Sequence, residues 1–119
     1  MFIKDLNDCP VITAGDNTQL RVILHPDQDP LKLSYSFSHA VVKSGETTYE
    51  HLLTSSEVYY ILQGEGIMHI NNKDCPVKAQ QAVFIPPESR QCITCTSQTD
   101  LVFLCIVDPP WKAEDETVF

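Results

Sequence analysis

The sequence of 119 residues predicts an all-β domain of the sandwich or barrel type. From residue 20 onward, short apolar or β-branched runs alternate with turn residues such as Asn71-Asn72 and Pro86-Pro87. No stretch of ten residues keeps the i, i+3, i+4, i+7 apolar spacing of an amphipathic helix. Because evenly spaced short strands bury their apolar faces by stacking or closing, we expect two packed sheets or a barrel.

The predicted strands are runs rich in β-branched, aromatic and aliphatic residues, each bounded by turn residues. In chain order they are Leu20–Leu24, Leu33–Val42, Thr48–Leu53, Glu57–Leu62, Gly66–Ile70, Asp74–Ala79, Ala82–Pro86, Arg90–Thr96 and Leu101–Val107. Residues 1–32 are less regular, and we expect an N-terminal arm with short strands in the same domain. Residues 33–107 are expected to form the barrel, and residues 108–119 an acidic C-terminal tail that is short or frayed.

The charge of the chain excludes two classes of partner. The formal net charge is −8 and the pI is about 4.7, so phosphate backbones and anionic headgroups are repelled. We therefore expect neither nucleic acid nor membrane as a partner. The first ten residues contain Lys4, Asp5 and Asp8 where a signal peptide needs an apolar stretch, so a cytoplasmic location is expected.

The cysteines are predicted to be reduced, and Cys92 and Cys95 to be small buried residues. There are five of them, an odd number without framework spacing. Cys92 and Cys95 form a C-x-x-C pair, but they fall in a predicted strand. Residues three apart in a strand point to opposite faces, so the two thiols are not expected to share a zinc ion or a disulfide.

The strand after residue 56 is predicted to be apolar on both faces. If Glu57 faces the interior, period-two alternation places Tyr59 and Ile61 beside it. The opposite face then carries three further apolar side chains, those of Val58, Tyr60 and Leu62. A second sheet or another subunit must cover that face, so a homodimer is expected.

The residues between Gly45 and Gly64 follow a fixed spacing, Gly45-x5-His51-x-Leu53-x3-Glu57-x6-Gly64. This spacing resembles the first motif of the cupin superfamily, G-x5-H-x-H-x3-E-x6-G. Leu53 stands where the motif has its second histidine.

A second stretch resembles the second cupin motif, G-x5-P-x-G-x2-H-x3-N, in spacing more than in residue type. Gln80, Pro86, Glu88, Gln91 and Cys95 occupy its five positions, and only the proline is the same residue. The chain is thus identified as a small single-domain cupin. The resemblance implies a double-stranded β-helix, also called a jelly-roll barrel, which is commonly a homodimer.

The resemblance also implies a metal site. His51 and Glu57 match two ligands of the family, and Gln91 stands at the position of a third. We therefore predict that His51, Glu57 and Gln91 hold a divalent transition metal, that is Zn, Fe, Ni, Mn or Cu. We expect the short connection between Leu53 and Glu57 to bring His51 and Glu57 together on adjacent strands.

Seven further residues are predicted to line the pocket, because they share a face with these three or lie opposite them. They are Tyr59, Leu53, Tyr49, Ile61, Met68, Cys95 and His39, of which His39 is also a possible replacement ligand.

Two functions remain open at this point. One is a metal-dependent cupin that binds a small-molecule ligand or substrate, for which isomerase, lyase, decarboxylase and dioxygenase chemistry all fit. The other is a non-catalytic small-molecule-binding or sensory cupin without a metal. A buried Glu57 needs a cation or hydrogen-bond donors, and no Lys or Arg is inferred at inward positions. This consideration favours the metal, whereas Leu53 and Gln91 at ligand positions favour the alternative.

Overall fold

The computed structural model describes all residues from Met1 to Phe119 as two facing sheets of antiparallel strands. The eleven strands are β1 Ile12–Thr13, β2 Gln19–Leu24, β3 Ser36–Val42, β4 His51–Leu53, β5 Ser56–Gln63, β6 Glu65–Ile70, β7 Lys73–Lys78, β8 Ala82–Ile85, β9 Arg90–Cys95, β10 Leu101–Asp108 and β11 Glu116–Val118. Two short 3-10 turns, Leu6–Asp8 and Ala113–Asp115, are the only helical segments, and neither is long and apolar enough to cross a membrane.

The chain passes repeatedly from one sheet to the other. The six-stranded sheet has the order β1-β2-β3-β10-β5-β8, and the five-stranded sheet has the order β11-β4-β9-β6-β7. Consecutive strands such as β4 and β5 therefore belong to different sheets. This alternation is the jelly-roll arrangement that the sequence predicts, and it places side chains from both sheets in one interior.

The core lies between the sheets and follows the two-residue period of the strands. In β3, every second residue from Ser36 to Val42 is buried and the others are half-buried. The buried apolar residues form one cluster, in which Ile61, Ile93 and Leu101 are almost fully inaccessible. Close packing of such residues contributes about 1.5–3 kcal/mol per side chain, so the cluster fixes how the two sheets face each other.

Glycine is required at the turn between β5 and β6. Gly64 has a φ of 88°, in the region that favours glycine. Gly66 lies against the carbonyl oxygen of Thr94, which leaves no space for a Cβ atom. The turn lets β6 pair directly with β9.

All nine predicted strands are present, with shifts of their ends. The largest shifts are at β3 and β4, which begin three residues later than predicted. Cys92 and Cys95 lie on opposite faces of β9, as expected from their spacing. All five cysteines are free thiols.

The C-terminal segment differs from the prediction. Instead of fraying, residues 116–118 form β11, which pairs with β4 and forms an edge of the five-stranded sheet. The acidic sequence suggested a solvated tail, but main-chain pairing to an open sheet edge depends little on side-chain polarity.

Candidate functional site

A cavity of about 190 Å³ lies between the two sheets. The wall includes residues of both sheets, of the β1–β2 hairpin and of the C-terminal segment. It is lined by 21 residues, of which 11 are hydrophobic. A concave, mostly apolar site with a few polar groups is typical of small-molecule binding sites.

His51, the first residue of β4, presents one free ring nitrogen to this cavity. Its side chain is buried, and its Nδ1 atom lies 3.1 Å from the main-chain oxygen of Tyr49. A carbonyl oxygen can only accept, so Nδ1 carries the hydrogen and Nε2 of the neutral ring keeps its lone pair. Asp16 Oδ2 lies 3.7 Å from Nδ1 and adds an orienting negative charge.

Glu57, on β5, is held by two hydrogen-bond donors of the protein. Gln91 Nε2 donates to Glu57 Oε1 at 2.5 Å, and the Cys105 thiol donates to Glu57 Oε2 at 3.1 Å. Tyr59 donates its hydroxyl hydrogen to Gln91 Oε1 at 3.1 Å. The amide of Gln91 therefore bridges a phenol and a carboxylate, and each of its two polar atoms has a partner.

Burial sets the protonation of this network. Removal from water raises the pKa of Glu57, although the Cys105 thiol, His51 and the Gln91 amide each oppose the rise. Burial, followed by the nearby Glu57 charge, raises the pKa of Tyr59 and of Cys105 well above their ordinary values. Tyr59 and Cys105 therefore keep their protons at neutral pH and act as donors.

The charged side chains that line the cavity are acidic. Asp16, Glu57 and Glu116 are among the lining residues, together with His25 and His51, and no Lys or Arg is among them. The one arginine of the second motif, Arg90, instead pairs with Glu50 on the surface. An anionic ligand would meet no lysine or arginine in this site.

The relation of His51 to Glu57 differs from the prediction. They do not lie on adjacent strands, because β4 and β5 belong to opposite sheets. The residue that neighbours His51 in its own sheet is Gln91, its direct register partner on β9. The connection between β4 and β5 passes from one sheet to the other rather than forming a hairpin, so the two side chains line the cavity from opposite sheets.

Of the seven predicted pocket residues, two line the cavity, three lie in the adjoining core and two point away from the interior. Leu53 and Tyr59 line the cavity together with His51 and Glu57. The adjoining core contains Ile61, Met68 and Cys95, which do not line the cavity. The predicted metal ligand Gln91 is also absent from the cavity wall, and it donates a hydrogen bond to Glu57.

Two predicted pocket residues point away from the interior. Tyr49 precedes β4 and is 53% exposed, so it contacts the site through its main chain and not through its side chain. His39 lies on the outer face of β3, where burial and the charge of Arg21 lower its pKa. It therefore cannot replace a ligand inside the barrel.

Several lining residues come from segments that sequence patterns did not connect with the site. The Trp111 indole donates to Glu116 Oε2 at 2.8 Å, and His25 Nε2 donates to the Trp111 carbonyl at the same distance. Glu116 also lies against Gly15, where a Cβ atom would clash. The only sequence signals were the Gly15-Asp16-Asn17 turn and a tryptophan after two prolines, and neither indicates a site by itself.

The arrangement does not fit a tightly held divalent metal. No three His, Cys, Asp or Glu side chains are grouped so that they could hold one. Of the three predicted ligands, Gln91 is used by Glu57 and Tyr59, and the intervening motif position is the apolar Leu53. His51 and Glu57 are the two motif residues with ligand atoms in the cavity wall, fewer than the three or four that metal sites use.

Two known proteins have sequences related to this chain. The chain is 34% identical over 110 residues to the uncharacterized protein MJ1618 of Methanocaldococcus jannaschii. The aligned region covers 92% of this chain and 86% of that protein. It is 45% identical over 51 residues to an oxalate-binding protein of Thermotoga maritima, a match that covers 43% of this chain and 42% of the relative.

A solved structure shares the architecture at low sequence identity. The Streptomyces nucleoside dehydratase Pac13 aligns over 100% of this chain and 91% of its own, with a TM-score of 0.81 and 18% identity. At this identity the similarity concerns the fold alone. The sequence profile of the Cupin_2 family, described as a cupin domain, matches residues 38–107, and the chain therefore belongs to the cupin family.

Proposed function

We propose that this cupin binds a small, uncharged or cationic molecule in its barrel without a resident metal ion. The observation that carries the proposal is the state of Glu57, whose two oxygens each accept a hydrogen bond from a buried protein donor. A buried carboxylate is costly unless it is paired or hydrogen-bonded. Gln91 and Cys105 supply those hydrogen bonds, so no cation is needed to explain why Glu57 is buried.

The size of the cavity limits the ligand. A volume of about 190 Å³ is smaller than the about 300–1,000 Å³ of pockets for drug-sized molecules. The ligand is therefore the size of a small metabolite. The apolar half of the wall contacts its carbon atoms, and the few polar groups select its orientation.

The charge of the cavity limits the ligand further. A dicarboxylate such as the ligand named for the oxalate-binding relative would face Asp16, Glu57 and Glu116 with no lysine or arginine to pair with. Like charges brought together in a site of low dielectric repel strongly. We therefore do not expect oxalate to be a ligand of this chain.

Of the two lining histidines, only His51 has a free ring nitrogen with which it can accept a proton from a bound ligand. The other lining histidine, His25, uses both ring nitrogens, since Nδ1 accepts from the Asp27 amide and Nε2 donates to the Trp111 carbonyl. His51 Nε2 is thus the free ring nitrogen of the cavity, and a neutral imidazole at that place can act as a general base.

A metal-dependent function is the second candidate, and the motif spacing favours it. His51 and Glu57 keep their family positions and both line the cavity. If Gln91 turned away from Glu57, its amide oxygen would complete a set of three ligands for Zn, Fe, Ni, Mn or Cu. The two candidates differ in whether the purified protein takes up a metal.

We expect the wild-type protein to retain no stoichiometric Zn²⁺, Ni²⁺ or Mn²⁺ after loading and desalting, as measured by elemental mass spectrometry. The matched control is the double variant Leu53→His with Gln91→His, which restores both motif histidines. It should retain one metal ion per chain, with weaker binding at low pH because protons compete for the imidazoles. Retention of one ion by the wild type, lost on His51→Ala, would instead establish the metal site.

The pH dependence of stability should report the environment of Glu57. Because its pKa is raised, the folded protein binds this proton more tightly than the unfolded chain does. The free energy of unfolding should therefore fall as pH rises from about 4.3, the ordinary glutamate pKa, through the raised pKa of the folded state. Urea unfolding of the wild type and of Glu57→Gln across this window should show a decline that the variant lacks.

Glu46→Gln is the control for this measurement, because Glu46 is exposed and should leave the wild-type profile unchanged. A wild type that gained stability relative to Glu57→Gln as pH rose would contradict the proposal. That result would mean that the folded-state pKa of Glu57 is lowered, as a bound cation would cause.

We also propose that two copies pack through the outer face of the six-stranded sheet. Four large apolar side chains are exposed on its neighbouring strands β5, β8 and β10, namely Tyr60, Leu62, Phe84 and Ile106. Val58 joins this patch between its register partners Ile106 and Phe84. Contiguous apolar patches of this kind mark interaction sites, and two copies of one twisted sheet can cover each other by two-fold symmetry.

Light scattering should give twice the chain mass of 13.4 kDa at micromolar concentration. Tyr60→Glu should shift the protein to the monomer, since it places a charge in the buried contact. Val11→Glu, an exposed apolar residue outside this patch, is the control and should leave the dimer intact. A monomeric wild type would contradict this arrangement.

The cytoplasmic location stays a prediction. The free thiols of this chain are consistent with a reducing compartment.

A further inference from the structure

The Ser38 hydroxyl faces the cavity and has no hydrogen-bond partner in the protein. Ser38 lies on β3, where alternate residues point into the interior, and it lines the cavity. The residue is 9% exposed. Two other buried hydroxyl oxygens without a partner, those of Thr18 and Ser55, are completely enclosed, whereas Ser38 Oγ is not. A buried hydroxyl that is open to a cavity and has no partner can bind a polar group of a ligand.

Three further polar atoms of the cavity wall are free, and all three are acceptors. His51 Nε2 keeps its lone pair, because Nδ1 donates to a main-chain carbonyl. Asp16 uses Oδ1 for a main-chain amide, and Glu116 uses Oε2 for an indole, so Asp16 Oδ2 and Glu116 Oε1 have no donor. Asp16 is 9% exposed and His51 4%, so neither group is solvated as a surface side chain is. A ligand must therefore bring hydrogen-bond donors to this wall.

The negative charge of the wall is not balanced by the protein. Burial is the main cause of the raised pKa of Glu57, and the charge of Asp16 adds to it. Burial and the Glu57 charge raise the pKa of Tyr59, and the charges of Asp16 and Glu116 contribute as well. No Lys or Arg lines the cavity. The carboxyl groups therefore act on one another across a site of low dielectric that contains no cation of the protein.

These two properties select the polar group of the ligand. A ligand carboxylate has no donor and would be repelled by Asp16 and Glu116. A ligand hydroxyl has one donor hydrogen and leaves the negative charge unbalanced. A protonated amine brings several donors together with a positive charge, and opposite charges attract most strongly where water is excluded. The wall therefore favours a protonated amine over an alcohol of the same size.

The apolar part of the wall indicates an organic cation rather than a metal ion. Of the 21 lining residues, 11 are hydrophobic. The aromatic side chains of Tyr59, Phe103 and Trp111 are among them, and organic cations bind favourably beside aromatic rings. No three His, Cys, Asp or Glu side chains are grouped to hold a metal. A ligand with a short carbon chain would fill the apolar part that a bare ion leaves empty.

We propose that Asp16, Glu116, Ser38 and His51 form a subsite for the protonated amino group of a small organic amine, whose carbon atoms pack on the apolar wall. This inference rests on the proposed metal-free binding function and names the ligand class. The two carboxylates supply the opposite charge, and the serine oxygen and the imidazole nitrogen accept hydrogen bonds. The four residues come from the β1–β2 hairpin, β3, β4 and β11, so both sheets contribute.

The test compares probes that share a four-carbon chain and differ in the charge of the head group. They are butylamine, which is protonated at neutral pH, the uncharged 1-butanol and the anionic pentanoate. Binding to the EDTA-treated protein is followed by ligand-observed NMR into the millimolar range. Because the chain is the same, differences in affinity report the head group.

Four variants assign the binding to the subsite. Asp16→Asn and Glu116→Gln each remove one charge and keep an acceptor for the main-chain amide and the indole that these residues bind. Ser38→Ala removes the unpartnered hydroxyl. Glu46→Gln is the matched control, because it removes one charge from an exposed residue that does not line the cavity.

We expect butylamine to bind the wild type more tightly than 1-butanol does, and pentanoate not to bind. Asp16→Asn and Glu116→Gln should each weaken butylamine binding about 10-fold or more, the range for loss of a hydrogen bond to a charged group. Ser38→Ala should weaken it about 2- to 10-fold without lowering the melting temperature, because no hydrogen bond within the protein is lost. Glu46→Gln should bind as the wild type does.

Three results would overturn the inference. They are no binding of butylamine, binding of 1-butanol as tight as that of butylamine, and unchanged butylamine binding in the charge variants. If 1-butanol or pentanoate binds the metal-free protein in place of the amine, the inference fails while metal-free ligand binding stands. If the probes bind only after a divalent metal is added, the proposed function fails as well. Should Asp16→Asn not fold, the wild-type probe series and Glu116→Gln still decide the question.

Discussion

The hydrogen bond from Gln91 to Glu57 links the two sheets at the inner side of the cavity, and the character of the site depends on it. Glu57 comes from the six-stranded sheet and Gln91 from the five-stranded one. The Gln91 amide donates to the carboxylate through Nε2 and accepts from Tyr59 through Oε1, so its one side-chain oxygen, the atom that could ligate a metal, is already in use. Gln91 is therefore part of a closed polar network, at a position where the resemblance to the cupin motif implied a metal ligand.

The remaining walls of the cavity come from segments on either side of the family's core region. The β1–β2 hairpin brings Asp16 and Thr18 to the cavity, and the C-terminal segment brings Trp111 and Glu116. These segments lie outside residues 38–107, which the family profile covers. The region that the family profile covers thus supplies His51 and Glu57, and the flanking segments supply Asp16 and Glu116, two of the three acidic residues of the wall.

The sequence predicted the fold well because strand periodicity and turn residues are local signals. It also placed Glu57 and Tyr59 on one buried face of β5, since alternation depends only on neighbouring residues. It could not predict that Gln91 would bond Glu57, because that contact joins strands 34 positions apart in different sheets. For His39, the phase of the alternation was not fixed by the sequence, and the side chain faces outward. Tyr49 was placed by alternation from His51, but it lies before the start of β4 and is exposed.

Hydrogen exchange of the Gln91 side-chain amide, followed by ¹⁵N NMR, tests most directly whether Gln91 and Glu57 form a closed network in place of a metal site. The exposed side chain of Asn72 provides a reference in the same molecule. If Gln91 is bonded as described, its amide hydrogens should exchange far more slowly than those of Asn72 and should not shift when one equivalent of Zn²⁺ is added. Exchange as fast as that of Asn72, or a stoichiometric shift with Zn²⁺, would contradict a metal-free site.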